Sequence, residues 1–135
     1  MLPRSLFFAA SLVLLALIPA CATTGGMRSA PVEQGVARAF KGDYDRTLKA
    51  ARESVVEAGL AIEEVNKVDE KTWMIIAKKG GSAFSWGEMV RVVVQNTGTD
   101  ETTVRVITQR KLATNVTAKG DYSTSILSNL ELKLK

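Results

Sequence analysis

The chain of 135 residues carries 18 basic and 14 acidic residues, a net charge of +4, no histidine and a single cysteine. This length fits one domain. The excess of positive charge is too small for a nucleic-acid signature, and the sequence contains no nucleic-acid-binding motif. Because histidine is the commonest metal ligand and general base, its absence leads us to expect no metal, no cofactor and no enzymatic activity.

The first twenty residues have the pattern of a secretory signal peptide. Arg4 and the terminal amine supply positive charge, residues 6–18 carry none, and Pro19 and Ala20 precede Cys21. A charged start, an apolar stretch of about 7–15 residues and small residues at the cleavage site are typical of such signals. The alternative is a membrane span, but a span needs about 20 apolar residues and this stretch ends at Pro19. The sequence therefore predicts that residues 1–20 are cleaved off.

The residues Ile18-Pro19-Ala20-Cys21 resemble the bacterial lipobox, in which an apolar residue and two small or permissive residues precede a cysteine. The resemblance implies that Cys21 is acylated and becomes the first residue, so that the lipid bilayer is one partner. Two or more acyl chains anchor a protein stably, whereas one binds only marginally. Ala22 stands where aspartate would retain an enterobacterial lipoprotein at the inner membrane. The resemblance thus implies the periplasmic face of the outer membrane.

The segment after the cysteine reads as a linker. Residues 22–35, ATTGGMRSAPVEQG, are rich in Gly, Ser, Thr and Pro and have no apolar period. We therefore expect residues 21–35 to comprise the lipidated cysteine and a flexible tether. Fourteen extended residues reach about 45 Å at roughly 3.3 Å each, so the domain need not touch the bilayer. The remaining residues, 36–135, are predicted to form one domain.

Residues 43–59 carry the clearest helical pattern. Asp43 stands where an N-cap belongs, and Gly59 stands where a glycine commonly follows a helix. The apolar residues recur at spacings of three and four, which makes one stripe along a helix. These residues are Phe40, Tyr44, Leu48, Ala51, Val55 and Ala58.

Four segments then have strand patterns, separated by polar turn residues: 60–66, 72–78, 88–95 and 102–109. In the third segment, valines at positions 90, 92 and 94 alternate with Met89, Arg91 and Val93. Alternate residues of a strand point to opposite faces of the sheet, so the two sets are predicted to lie on different faces. A short strand at residues 35–40 would make a fifth.

The end of the chain predicts a second helix. Asp121 is placed to cap it, and Tyr122, Ile126 and Leu130 recur at a spacing of four. We predict helix to about Asn129, whereas the last six residues fit either a helix or an alternating strand. The element order (β)-α-β-β-β-β-α predicts an α+β fold, a four- to five-stranded antiparallel sheet with two helices packed on one face.

The sheet face away from the helices is the first candidate site. Arg91 and Val93 on one strand are predicted to lie beside Arg105 and Ile107 on the next, all pointing outward. A mixed face of this kind suits an interface with a protein or with an anionic glycolipid. The alternative is an ordinary solvated sheet face.

The segment GGSAFSWG at residues 80–87 is the second candidate. One interpretation is a loop that presents Phe84 and Trp86 to a partner or to lipid. The other is a hairpin connection whose aromatic side chains fold back over the sheet. Neither serine has a histidine base in the chain, and the segment lacks a phosphate-binding glycine motif.

Residues 42–51, GDYDRTLKAA, followed by EAGL at 57–60, resemble an opening that recurs in short bacterial lipoproteins of unknown function. The layout over residues 36–132 is also similar to the small helix-grip domains of the lipoprotein subunit of the outer-membrane barrel-assembly machine. No functional residue carries over from this resemblance. We expect a non-enzymatic lipoprotein that binds or scaffolds envelope proteins. The alternative is a binder of lipopolysaccharide or peptidoglycan through a basic sheet face.

Overall fold

A computed structural model of the protein describes residues 23–79, 87–110 and 121–135. Within these ranges the chain forms three helices and five strands. In chain order they are α1 (Thr24–Ser29), β1 (Val36–Lys41), α2 (Tyr44–Glu57), β2 (Ala61–Asp69), β3 (Thr72–Lys79), β4 (Glu88–Gly98), β5 (Glu101–Arg110) and α3 (Ser123–Leu134).

The five strands form one antiparallel sheet in the order β1-β5-β4-β3-β2. The strand β1 completes the sheet by pairing with β5, where Val36 lies opposite Val106. The helices α2 and α3 contact each other and pack on the sheet. The predicted α+β class and the order β-α-β-β-β-β-α are confirmed, and α1 is an additional helix at the N-terminal end.

The helix α2 begins and ends where the sequence predicts. The carboxylate of Asp43 accepts a hydrogen bond from the backbone N–H of Arg46 at 3.1 Å. Gly59 has a φ of +83°, a left-handed conformation that glycine adopts without a Cβ clash. These two residues close the ends of the helix as capping rules require.

The helix α3 extends further than the predicted end at Asn129. Asp121 accepts a hydrogen bond from the backbone N–H of Ser123 at 2.9 Å, and the helix then continues to Leu134. The last turn is helical rather than extended. Leu134 packs against the core there, and Lys133 pairs with Glu57 of α2 at 2.6 Å.

The main core lies between the sheet and the two helices. The valines of β4 at positions 90, 92 and 94 all face it, as the alternation predicts. It contains Phe40, Ala50, Ala51, Val55, Leu60, Ile75, Ala77, Val90, Val92, Val94, Val104, Val106, Ile126, Leu127 and Leu130.

A second, smaller core lies on the opposite face of the sheet. Residues 23–35, which we call the strap, cover this face, and α1 packs on β3 and β4. Met27 of α1 is fully buried there with Met74, Ile76, Met89 and Val93. The predicted flexible tether is therefore wrong for residues 23–35. No apolar period marks them, because Met27, the partly buried Val32 and main-chain groups hold them in place.

Candidate functional site

The structure brings together the four residues predicted to share the outward sheet face. In the ladder between β4 and β5, Arg91 lies opposite Ile107 and Val93 lies opposite Arg105. Their predicted exposure is wrong for three of the four, since Arg91, Val93 and Ile107 are 0%, 1% and 8% exposed. Arg105 is partly exposed and donates a hydrogen bond to Gln95 at 3.2 Å. The strap covers this face, which is why it is not solvated.

Carbonyl groups of the strap bind the guanidinium of Arg91. Its Nη1 donates to the carbonyl oxygens of Met27 at 3.1 Å and Ala30 at 2.6 Å, and its Nη2 donates to that of Pro31 at 2.7 Å. These carbonyls lie in the last turn of α1 and just beyond it, where a helix leaves acceptors without internal partners. Hydrogen bonds from a charged donor are roughly twice as strong as neutral ones. Arg91 is thus the main polar attachment of the strap.

The charge of Arg91 lacks a close counter-ion in the part of the chain that the structure describes. None of the ion pairs there includes Arg91. Its Nε is buried and has no hydrogen-bond partner. Burial lowers the pKa of Arg91, while the charge of Glu33 in the strap acts in the opposite direction. The guanidinium stays protonated, because its ordinary pKa lies far above neutral pH.

A second polar contact joins the strap to the edge of the sheet. Nη2 of Arg28 lies 2.7 Å from a carboxylate oxygen of Glu64 on β2. The hydrogen bond from Arg28 lowers the pKa of Glu64, and a hydrogen bond from Asn66 adds to this effect. The Arg28 side chain is 55% exposed, so solvent screens the pair and the attachment is weak.

The strap ends at Gly35, where the chain turns sharply into β1. Gly35 has a φ of +117°. A Cβ atom at this position would lie 2.6 Å from the carbonyl oxygen of Val106 and 2.8 Å from Cγ1 of Ile107. Contacts this short leave room only for glycine. The close passage of the chain at Gly35 is what covers Ile107.

Replacing Gly35 with alanine should loosen this turn and destabilise the protein. Gly42→Ala is the matched control, because Gly42 has a similar φ of +126° and nothing within 4 Å of its Cβ position. Both variants share the cost of the backbone conformation, and only Gly35→Ala adds a clash. We expect Gly35→Ala to lower the free energy of unfolding by about 1–3 kcal/mol more than Gly42→Ala in urea titrations. Equal values would contradict the close packing at Gly35.

A cleft of about 450 Å³ lies beside Gly35, and its polar groups hold the start of α3. The carboxylate of Asp121 accepts hydrogen bonds from the hydroxyls of Ser123 at 2.5 Å and Thr108 at 3.1 Å. These bonds, that from Ser123 foremost, lower the pKa of Asp121. The N-cap of α3 is Tyr122, so the predicted cap at Asp121 is displaced by one residue, and Asp121 instead holds the first turn through Ser123.

A polar cluster that the sequence analysis missed joins α3 to the sheet. Glu88, which is 2% exposed, lies opposite Lys79 of β3. Burial and the hydrogen bond to Glu88 raise the pKa of Tyr122 to about 12. The ammonium of Lys79 lies 5.7 Å from the centre of the Tyr122 ring, within the range of a cation–π contact. No local pattern reveals the cluster, because Tyr122 lies far along the chain from Lys79 and Glu88.

The predictions for Cys21, Phe84 and Trp86 lie outside the described residues. In the ranges that the structure does describe, no group of three or more metal-ligating side chains is placed to hold a metal ion. No helix within those ranges has the length and apolar character needed to cross a membrane.

The described residues define an α+β domain whose open sheet face is covered by its own N-terminal strap. No protein-family model, curated protein or solved structure matches the chain. The resemblances to the lipobox and to the helix-grip domains of the barrel-assembly lipoprotein therefore stay predictions.

Proposed function

We propose that the protein is a lipid-anchored, non-enzymatic module of the bacterial cell envelope that binds an envelope protein. The observation that carries this proposal is the position of the lipobox next to the folded chain. Cys21 precedes Thr23, the first residue of the strap, by two residues. Two extended residues reach about 7 Å, so an acylated Cys21 lies within about 7 Å of the start of α1, which packs on the sheet.

This arrangement changes the expected distance from the membrane. A free tether of fourteen residues would allow about 45 Å between the bilayer and the domain. With the strap bound to Arg91, that length lies along the sheet instead. The domain is then held against the bilayer. Ala22, by resemblance to the enterobacterial sorting rule, favours the periplasmic face of the outer membrane for the domain.

The apolar face beneath the strap supports a protein as the partner. The side chains around the buried guanidinium of Arg91 are Met74, Ile76, Met89 and Val93. Interface cores are typically apolar, with methionine and arginine enriched relative to the rest of the surface. The polar clusters at Asp121 and at Glu88 support a non-enzymatic module, because each has a structural role at the start of α3.

The alternative function was binding of lipopolysaccharide or peptidoglycan through a basic sheet face. The basic face was predicted to include Arg91 and Arg105, together with Arg110, Lys111 and Lys119. Arg91 is fully buried under the strap, so of the first two only Arg105 is accessible. No observation on the described residues favours this alternative over a protein partner.

Photo-crosslinking in intact cells tests the proposed function. A photo-reactive benzoylphenylalanine replaces Arg105, which borders the covered face, or Val68 on β2, which is 45% exposed and serves as the control. We expect a discrete adduct with an envelope protein from position 105 and none from position 68. Adducts with lipopolysaccharide alone would favour the alternative, and identical adducts from both positions would contradict a partner at this face.

A further inference from the structure

The site around Arg91 is better suited to a carboxylate than to the groups that now fill it. A guanidinium presents its N–H groups in a planar fork that matches two carboxylate oxygens. Here it meets three separate carbonyl oxygens, and its buried Nε has no partner. A ligand with a carboxylate would supply the missing negative charge and a second acceptor on one rigid group.

The walls of the site are adaptable. Met74 and Met89 line it together with Ile76 and Val93, and the strap fills it with the side chain of Met27. Methionine side chains are flexible and polarizable, so they adjust to differently shaped apolar groups. The site therefore accepts an apolar side chain other than that of Met27.

The strap is held in place by these contacts rather than by its own helix. The helix α1 has six residues, of which Gly25 and Gly26 are two. Isolated helices of this length do not form in water, and each glycine disfavours the helix by about 1 kcal/mol relative to alanine. A ligand that takes over the contacts of Met27 and Arg91 leaves the strap held by the partial packing of Val32 and by the exposed Arg28–Glu64 pair.

Met27 of the strap indicates which chemical groups such a ligand would carry. Met27 inserts its side chain among the apolar residues, and its own carbonyl accepts a hydrogen bond from Arg91. An apolar residue at the very end of a polypeptide offers both groups at the same spacing. It adds the negative charge of its terminal carboxylate.

We propose that the C-terminal segment of the partner protein, ending in an apolar residue, displaces the strap and binds Arg91 through its terminal carboxylate. This inference rests on the proposed function of binding an envelope protein. Release of the strap also frees residues 23–35 as a tether of about 43 Å, at roughly 3.3 Å per residue. Partner binding and the distance of the domain from the bilayer are thereby coupled.

A peptide titration tests the proposal on the purified full chain in detergent micelles. The probe is the fluorescein-labelled hexapeptide Gly-Ser-Gly-Ser-Leu-Met, with either a free C-terminal carboxylate or a C-terminal amide. We expect the free acid to bind at least about tenfold more tightly than the amide in fluorescence anisotropy, since the amide lacks the charge-assisted pair. Equal affinity of the two peptides would overturn the proposal.

Two variants assign that difference to Arg91. Arg91→Met should bind acid and amide equally, whereas Arg52→Met, at an exposed position of α2 on the opposite side of the sheet, should keep the preference. A preference that survives in folded Arg91→Met overturns the proposal.

Met27→Ser keeps Arg91 and weakens the strap, so it should bind the acid about tenfold more tightly than wild type does. Unchanged affinity in Met27→Ser would show that the strap does not compete.

Trypsin cleavage after Arg28 reports strap release directly. The acid peptide should accelerate this cleavage at least about tenfold, in proportion to the fraction of the strap released. Bound peptide with unchanged cleavage would place the peptide elsewhere and overturn the proposal. If the wild-type protein forms a dimer in which the strap of each copy occupies the site of the other, the site binds a second copy of this chain. That result would also overturn the proposal. Failure of these tests leaves acylation of Cys21 unaffected, because the titration does not depend on the membrane.

Discussion

Val92→Asp should unfold the domain. Val92 is fully buried in β4, the central strand, and lies in the core beneath α2 and α3. A carboxylate buried there without a partner costs several kcal/mol. Small domains have a total stability of about 5–15 kcal/mol, so this one change removes most of it. We expect circular dichroism to show no cooperative thermal transition for this variant.

The matched control is Val68→Asp, the same change at a strand residue that is 45% exposed. Its carboxylate remains in contact with water, and surface substitutions usually alter stability by about 0.5 kcal/mol. We expect its melting temperature to lie within a few degrees of wild type. Similar melting curves for the two variants would show that the register of β4 is wrong.

The elements that sequence reasoning predicted correctly are those with local signals. The stripe of α2 from Tyr44 to Ala58 and its caps Asp43 and Gly59 lie within one short stretch, whereas Phe40, also assigned to the stripe, belongs to β1. The alternation of β4 is likewise visible over eight residues. Such patterns follow from the geometry of one helix or one strand, so no distant contact is needed to interpret them.

The strap was not predictable in this way, although the sequence carries one signal of it. On β4 both sets of alternating residues are largely apolar, since Met89 and Val93 flank Arg91 on the face opposite the core valines. A strand that is apolar on both sides is typically covered on both sides. The prediction that this face is exposed did not take that pattern into account. The covering segment itself contributes mainly Met27, the partly buried Val32 and main-chain carbonyls, which composition cannot reveal.

Cys21→Ala should abolish lipid attachment. In a lipobox the cysteine sulfur receives the diacylglyceryl group, and Cys21 is the only cysteine in the chain. We therefore expect labelled palmitate to enter the wild-type protein and not the variant. The variant should accumulate as a form that keeps the signal peptide or is incorrectly processed, and that acyl chains no longer hold at the membrane.

A control for this prediction is Ala22→Ser, which changes the next residue and keeps the cysteine. It should incorporate palmitate as wild type does, because the sulfur nucleophile is intact. Palmitate entering Cys21→Ala would mean that acylation occurs elsewhere, and the anchoring proposal would then lose its basis.

The intact mass of the protein purified from membranes tests the central claim most directly. A lipid-anchored module predicts a chain that begins at Cys21, with the mass of residues 21–135 plus a diacylglyceryl group and a further acyl chain on the new amine. A mass that retains residues 1–20, or that matches residues 21–135 without added lipid, would contradict it.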